Sequence, residues 1–340
     1  MKKLSLMVLT ILSLKALEVD GQLRFGGVRI EDDRGDKSST LSLGGNLGVK
    51  TDAIYGLSVG ARFYTTNALF GKDKEGMFLD SNNNSYSILG EAYIQAEFGK
   101  SNLKIGRQIV DTPYADSDDI GMIPNTFQGA TFSNRDIEDM TIILNALNRW
   151  AGVDTDRPEK FNRMQTSNDA VVTAGVIYQG IQDITAQAWH YSVNGGDFNY
   201  FEVGYENEQL NLSAQYTTQG NNNSAFGILT GVKIDELALN MAYNKTDGVV
   251  SNGFGGGPFF TSSEDHTIAD VDNQEAILIG GEYAIDDINI AITHVNFDKG
   301  ENETDYMVSY AINKKLSLDL IYSDIYSDGK MVRFFTNYNF

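Results

Sequence analysis

The chain has 340 residues, 41% of them hydrophobic, and a formal net charge of −20. That charge excludes nucleic acid held through its phosphates, and the absence of cysteine excludes a disulfide framework and a thiolate metal site. A negative mean hydropathy does not exclude the membrane, because a β-barrel wall alternates lipid-facing and water-facing residues and averages near neutral.

The N-terminus predicts a secretory signal over residues 1–21. Lys2 and Lys3 supply the charge, and Leu4–Leu14 is an apolar run too short to span a bilayer as a helix. Cleavage falls after Ala16 or after Gly21; the alternative is a buried N-terminal helix. No later apolar run is long enough for a transmembrane helix, so residues 22–340 are expected to form one exported domain without a helical anchor.

From there the chain alternates with the two-residue period of strands. In LRFGGVRI the apolar set changes face after Gly26–Gly27, which predicts a glycine bulge. Leu41, Leu43, Leu47 and Val49 oppose Ser42, Asn46 and Lys50. Leu57, Val59 and Phe63 oppose Ser58, Arg62 and Tyr64, and Ile94 and Phe98 oppose Glu91, Tyr93 and Gln95. In LKIGRQIV, Arg107 shares a face with Leu103 and Ile105, and its orientation stays open. The same alternation returns at 210–217, 237–244 and 316–323. Segments of about 9–11 residues match tilted membrane strands.

Tight connections near Gly99–Ser101, Gly180–Gln182, Asn207, Asp235, Asp286–Asp287 and Asn313–Lys314 are interleaved with longer ones. The longer ones are Glu31–Ser39, Thr66–Asn84, Val110–Asn125, Ala151–Asp169, Asp247–Asp272 and Asp298–Asn302. Short turns on one rim and long loops on the other mark an outer-membrane barrel. Splitting Thr126–Ser133 from Thr141–Arg149 at Asn134–Asp139 gives an even count, about 18 strands. The fold class is all-β, a transmembrane antiparallel β-barrel. The chain ends on VRFFTNYNF, with Val332, Phe334, Tyr338 and Phe340 on one face. A terminal Phe340 with alternating apolar residues resembles the signal that the outer-membrane assembly machinery reads; the alternative, a naked hydrophobic edge strand, would invite aggregation.

The stretch Gly106–Gly129 breaks the alternation with turn formers and acids. Its GRQ (Gly106, Arg107, Gln108), its TPY with Pro113, the acids at Asp116–Asp119, and IPNTFQGA with Pro124 and Phe127 resemble the OprD-like porins. GFGGGPFFTSSEDHT (Gly253–Thr267) looks like that family's long Gly-rich outer loop. The resemblance implies an outer-membrane barrel of about 18 strands narrowed by an inward-folded constriction loop. Here that loop is carried by Asp111, Tyr114, Asp116, Asp118, Asp119 and Asn125. It also implies a ladder of basic side chains that draws in small carboxylates, with the Asp116–Asp119 acids opposite.

Alternation alone turns Arg24, Lys50, Arg62, Lys104, Lys233 and Arg333 inward. Arg24, Lys50, Arg62, Lys104 and Arg333 gather on one wall if the last strand pairs with the first. The competing reading is lumenal charge satisfied by acids such as Glu91 and Glu97. Most remaining acids, among them Asp73, Glu75, Asp154, Glu264, Asp265, Glu301 and Glu303, are expected on the outer rim. There they aid solubility, attract cations or bind divalent ions shared with lipopolysaccharide.

The three histidines form no pair at helical spacing, and no nucleophile elbow or phosphate loop is present. No enzyme activity, cofactor or metal is expected. The expected function is passive diffusion of small hydrophilic, carboxylate-bearing solutes; the alternative is a surface structural or adhesive barrel with a plugged lumen. Expected partners are the lipid bilayer, lipopolysaccharide, the assembly machinery and the solutes, with monomer and homotrimer both open.

Overall fold

The computed structural model describes residues 17–72, 77–220 and 222–340. In chain order the strands are β1 (Leu17–Asp32), β2 (Lys37–Thr51), β3 (Leu57–Lys72), β4 (Tyr86–Phe98), β5 (Ser101–Gln108), β6 (Thr126–Asn134), β7 (Met140–Ala151) and β8 (Asn162–Arg163). There follow β9 (Val171–Ile181), β10 (Ile184–Ser192), β11 (Phe198–Glu206), β12 (Leu210–Gln219), β13 (Asn223–Ile234) and β14 (Leu237–Asp247). The last are β15 (Glu275–Ile285), β16 (Ile288–Phe297), β17 (Glu303–Asn313), β18 (Leu316–Ile325) and β19 (Gly329–Asn339). Neighbours pair antiparallel, and β1 pairs with both β2 and β19, which closes the ring. The two-residue β8 touches only the end of β7, which otherwise pairs directly with β9. The wall is therefore a closed antiparallel barrel of 18 strands, as the even count required.

Closure leaves no sheet edge. At the short-turn rim Phe340 N donates to Gly21 O at 3.0 Å, so the end of the chain is tied to the first strand. The turns on this rim place Asp183, Asp235 and Asp286 at φ 61°, 53° and 49°, left-handed values that Asp tolerates and that tight hairpins need. The opposite rim is less regular than the loop-length pattern predicts. Its connections at 193–197, 220–222 and 326–328 are as short as turns, while 73–85, 109–125, 152–170 and 248–274 are long. Asp73 and Glu75 lie outside the described residues.

The outward face carries Leu23, Phe63, Ile94, Ile105, Leu212, Ile279 and Leu320, all exposed in the isolated chain and placed for lipid. The predicted glycine bulge is absent. Register runs unbroken through it, with Gly26 opposite Ser42 and Phe335, and Gly27 opposite Leu41 and Phe334. Register shifts fall instead at Leu41/Ser42, Arg62/Phe63, Gln128/Gly129, Ile184/Ala186 and Ala311/Asn313. The apolar set changes face at Gly26 for a different reason. Val28 and Ile30 point inward because apolar loop residues wait for them there.

Val28, Met331 and Phe335 of the wall pack with Phe78 and Leu79 of one long loop, Met122 and Ile123 of a second, and Phe161 of a third. Phe78, Leu79, Met122 and Ile123 are almost fully buried. Each such side chain removed from water stabilises the packed state by ~1.5–3 kcal/mol, enough to hold a loop inside the barrel against its conformational freedom. Gly26 makes room for this contact: a Cβ there would stand 2.8 Å from Met122 Sδ and 3.0 Å from the Phe78 ring. Gly26→Leu is therefore expected to push the loops off the wall at a cost of ~1–3 kcal/mol, leaving the barrel folded. The check is a heat-modifiable band that survives together with a raised single-channel conductance; unchanged conductance would contradict the packing.

Candidate functional site: the loop-crossed lumen

The connection from β5 to β6, residues 109–125, carries the predicted site. A tight turn at its start sets Thr112 against Ala115, with Thr112 N to Ala115 O at 2.8 Å and Ala115 N to Thr112 O at 3.2 Å. Pro113 pre-sets φ inside this turn, and the turn aims Tyr114 sideways. Tyr114 is fully buried among Tyr191, Phe198 and Tyr200, with ring centroids at 5.4, 5.2 and 6.0 Å, and its hydroxyl donates to Thr217 Oγ1 at 2.7 Å. Burial pushes its phenol up to about 12. These partners stand on β10, β11 and β12.

Five residues later the loop meets the other side of the ring. Arg24 on β1 donates from Nη1 to Asp119 Oδ1 at 2.7 Å, from Nη2 to Asp119 Oδ2 at 2.8 Å, and from Nη1 to Gly121 O at 2.7 Å. Discounting β8, β11 lies nine strands from β1 in a ring of 18, which is half-way round. The stretch from Tyr114 to Asp119 thus crosses the barrel and is pinned at both walls.

The other loop acids serve loop packing. Asp111 accepts from Ser117 N at 3.0 Å and Ser117 Oγ at 2.7 Å. Asp116 accepts from Gly256 N and Gly257 N, both at 3.3 Å, and Ala115 bridges to Phe254, so the Gly-rich loop 248–274 folds in beside the first. Glycine is required there. Gly255 has φ 143°, and a Cβ on it would stand 2.5 Å from Asp116 Oδ1. Asn125, fully buried, donates to Asp154 on the third loop and takes Asp154 N at 3.2 Å. Asp118 lies against Asp154 and within range of Glu264. Burial, then these carboxylates, push Asp118 up to about 7; burial, with the nearby charges of Asp118 and Asp111, outweighs the two long amide contacts and pushes Asp116 up to about 6.

The basic residues turn inward as alternation required, but the arginines are matched by acids. Arg62 is hydrogen-bonded to Asp20 and Asn46, with Glu91 at 3.2 Å. Arg333, fully buried, reaches Glu264 at 2.7 Å and Asp265 at 3.9 Å. Lys104 sits over the Tyr93 ring at 4.0 Å and near Lys50, and among the described residues no salt bridge joins either lysine to a carboxylate. Lys233 lines a separate cavity of about 450 Å³ at the short-turn rim with Glu206, Glu208 and Glu282. Arg107 is held over Phe161 at 4.3 Å and donates to Leu89 O at 3.0 Å, so it takes no part in the Arg24–Asp119 contact. Gln108 is buried, Phe127 stacks on Trp150 at 6.1 Å, and Gly106 has φ 134° where a Cβ would strike Ala92 O.

Several expected rim acids are not free. Glu303 is buried, accepting from Ser263 Oγ at 2.7 Å and facing His266 Nδ1 at 3.0 Å. That contact raises the His266 pKa. Glu264 and Asp265 face Arg333. Alternation missed Asp154 and Glu264 as partners of the predicted site, because loop carboxylates carry no periodic signal, and Asp20, on β1, was hidden within the stretch read as a secretory signal.

The raised carboxyls give a pH dependence of definite sign. A carboxyl whose folded pKa exceeds its unfolded value contributes stability at low pH that is lost as pH rises through the folded value. Between about pH 5 and about pH 8, Asp116 and Asp118 lose their protons beside Asp154 and Glu264. Amide protection of residues 115–118, corrected for intrinsic exchange, is expected to fall on alkalinisation, and Asp118→Asn to flatten the profile. Protection that rises with pH would contradict this arrangement.

A closed antiparallel wall with lipid on its outer face and loops across its lumen is an outer-membrane porin. The family model described as "outer membrane porin, OprD family" matches residues 45–249, more than half of the chain, and the protein belongs to that family. No curated protein matches the sequence. Solved structures agree on the fold. Pseudomonas aeruginosa OpdK with vanillate superposes with a TM-score of 0.82 at 15% identity, covering 95% of this chain and 98% of that one. Pseudomonas aeruginosa OccK2 (OpdF) in complex with glucuronate gives 0.79 at 14%, covering 95% and 97%. Acinetobacter baumannii OccAB3 gives 0.80 at 14%, covering 95% and 99%.

Proposed function

We propose that this porin passes small hydrophilic solutes bearing a carboxylate through a narrow passage beside the Arg24–Asp119 contact. The observation that carries the reading is a cavity of about 270 Å³ at that contact, between the crossing loop and the wall of β17–β19, lined by Arg24, Asp119, Glu264 and Asp319 among apolar side chains. A solute carboxylate would be drawn by the ammonium groups of Lys104 and Lys50, nearer the short-turn rim, because Arg24 is itself held by Asp119. Arg62 and Arg333, already neutralised, would shape the path more than attract. That vanillate and glucuronate, each a carboxylate, accompany two structures of the same fold supports the solute class. The passage is then the functional site, and the barrel would need lipid, lipopolysaccharide and the assembly machinery as partners.

Liposome swelling tests the reading. Lys50→Gln together with Lys104→Gln is expected to slow gluconate entry roughly fivefold, the loss of ~1 kcal/mol of charge-assisted contact, with a neutral sugar unaffected. Equal entry of gluconate into wild-type and variant vesicles would reject the solute class. A plugged structural barrel is the second reading, favoured by the apolar cluster that joins three loops to the wall. Absence of any current from pure folded protein in a planar bilayer would establish it.

The signal boundary belongs with this proposal. Asp20, the partner of Arg62, lies on β1, which begins at Leu17. Cleavage after Gly21 would remove it, so the mature chain is expected to start at Leu17, as intact mass will check.

A further inference from the structure

The solute reading above places a positive charge for the carboxylate but leaves the other end of the solute without a partner. The acids expected to fill that role, Asp116, Asp118 and Asp119, are all engaged. Asp116 is held by the amides of Gly256 and Gly257, Asp118 lies against Asp154, and Asp119 takes both of its hydrogen bonds from Arg24. The lining of the 270 Å³ cavity offers another carboxylate, on the wall itself.

That residue is Asp319, on the inward face of β18 between the lipid-facing Leu318 and Leu320. Three carboxylates (Asp119, Glu264 and Asp319) line the cavity against the single guanidinium of Arg24. Asp119 is paired with Arg24 and Glu264 with Arg333, whereas no salt bridge joins Asp319 to a cation among the described residues. Among the described residues its one side-chain hydrogen bond comes from Asn337 Nδ2 at 3.2 Å.

Asn337 is the connecting piece. Its Oδ1 accepts from Arg24 Nε at 2.9 Å while its Nδ2 donates to Asp319. An amide has one acceptor end and one donor end, so the arginine and the aspartate orient it between them. A row therefore runs from the loop onto the wall: Asp119 of the crossing loop, then Arg24, Asn337 and Asp319 of the strands. The guanidinium and the free carboxylate are held one amide apart, with Ser309 of β17 directly across the pair from Asp319. An unpaired carboxylate at a confined passage with low-dielectric walls acts on a passing ion more strongly than a rim charge does.

We propose that Asp319 is the residue that recognises the ammonium end of the solute and sets the cation preference of the channel. The solute class is then a small amphoteric molecule, its ammonium on Asp319 and its carboxylate on the basic side of the passage. The proposal rests on the porin reading of the cavity.

The experiment uses the full mature chain in planar bilayers, with folding checked by heat-modifiable migration. It reads the reversal potential in a KCl gradient and the interruption of current by ethanolammonium. Asp319→Asn is expected to lower the potassium-to-chloride permeability ratio and the ethanolammonium dwell time by about threefold each, an effect of removing one charge from a confined path. Asp319→Glu is expected to keep both. Ser309→Asp adds a carboxylate beside the first and is expected to raise both, which decides the matter if Asp319→Asn does not fold. Values for Asp319→Asn and Ser309→Asp that equal wild type would overturn the proposal while leaving the porin reading intact. A wild-type protein that carries no current would instead remove the reading on which it rests.

Discussion

Asp119 can reach Arg24 only if the chain between β5 and β6 turns into the barrel, and much else depends on that reach. The guanidinium holds both carboxylate oxygens and the carbonyl of Gly121, with Arg24 itself nearly excluded from water. A buried arginine deprived of its acid would carry an uncompensated charge. Asp119 is half exposed, so the penalty is smaller than for a fully buried pair, about 1–3 kcal/mol. At the far wall Tyr114 is gripped by three aromatic rings and by Thr217. Between those anchors the backbone has no freedom to swing back to the rim. The other inward loops then build on it: Asp116 gathers the Gly-rich loop and Asn125 gathers the loop carrying Asp154.

The apolar contacts supply what the polar ones cannot. An outer-membrane barrel of this width would enclose water if its inner face were polar throughout. Here the outer half of the inner face offers Val28, Met331 and Phe335, and three loops bring their own apolar residues to cover them. Charged contacts decide which side chains meet, and apolar burial makes the meeting stable. A cavity of about 270 Å³ remains against β17–β19.

The wall was legible in the sequence because a strand facing lipid on one side and water on the other must alternate. Parity of the strands and the aromatic end at Phe340 follow from closure. Legibility failed where a residue answered to something other than the pleat. At Gly26–Gly27 the change of apolar face looked like a bulge, yet the strand is regular and the inward apolar residues belong to the loop contact. The family motif located the crossing loop and named Asp116, Asp118 and Asp119, but it could not say which acid meets which group. Glu303 looked like a rim acid from its place next to Glu301, whereas it is buried against Ser263 and His266. Arg333 meets Glu264 and Asp265, which come from a loop far away in sequence. Pairing between distant loops has no period, so only the folded chain displays it.

The central claim is that Arg24 and Asp119 hold the crossing loop in the lumen. A charge exchange tests it most directly: single-channel conductance of Arg24→Asp, Asp119→Arg and the double exchange, in folded protein. Each single variant repels the loop from β1 and is predicted to conduct well above wild type, and the double exchange to return toward it, because the pair is restored with its sign reversed. Single variants that conduct like wild type, or a double exchange no closer to wild type than its parents, would contradict the account.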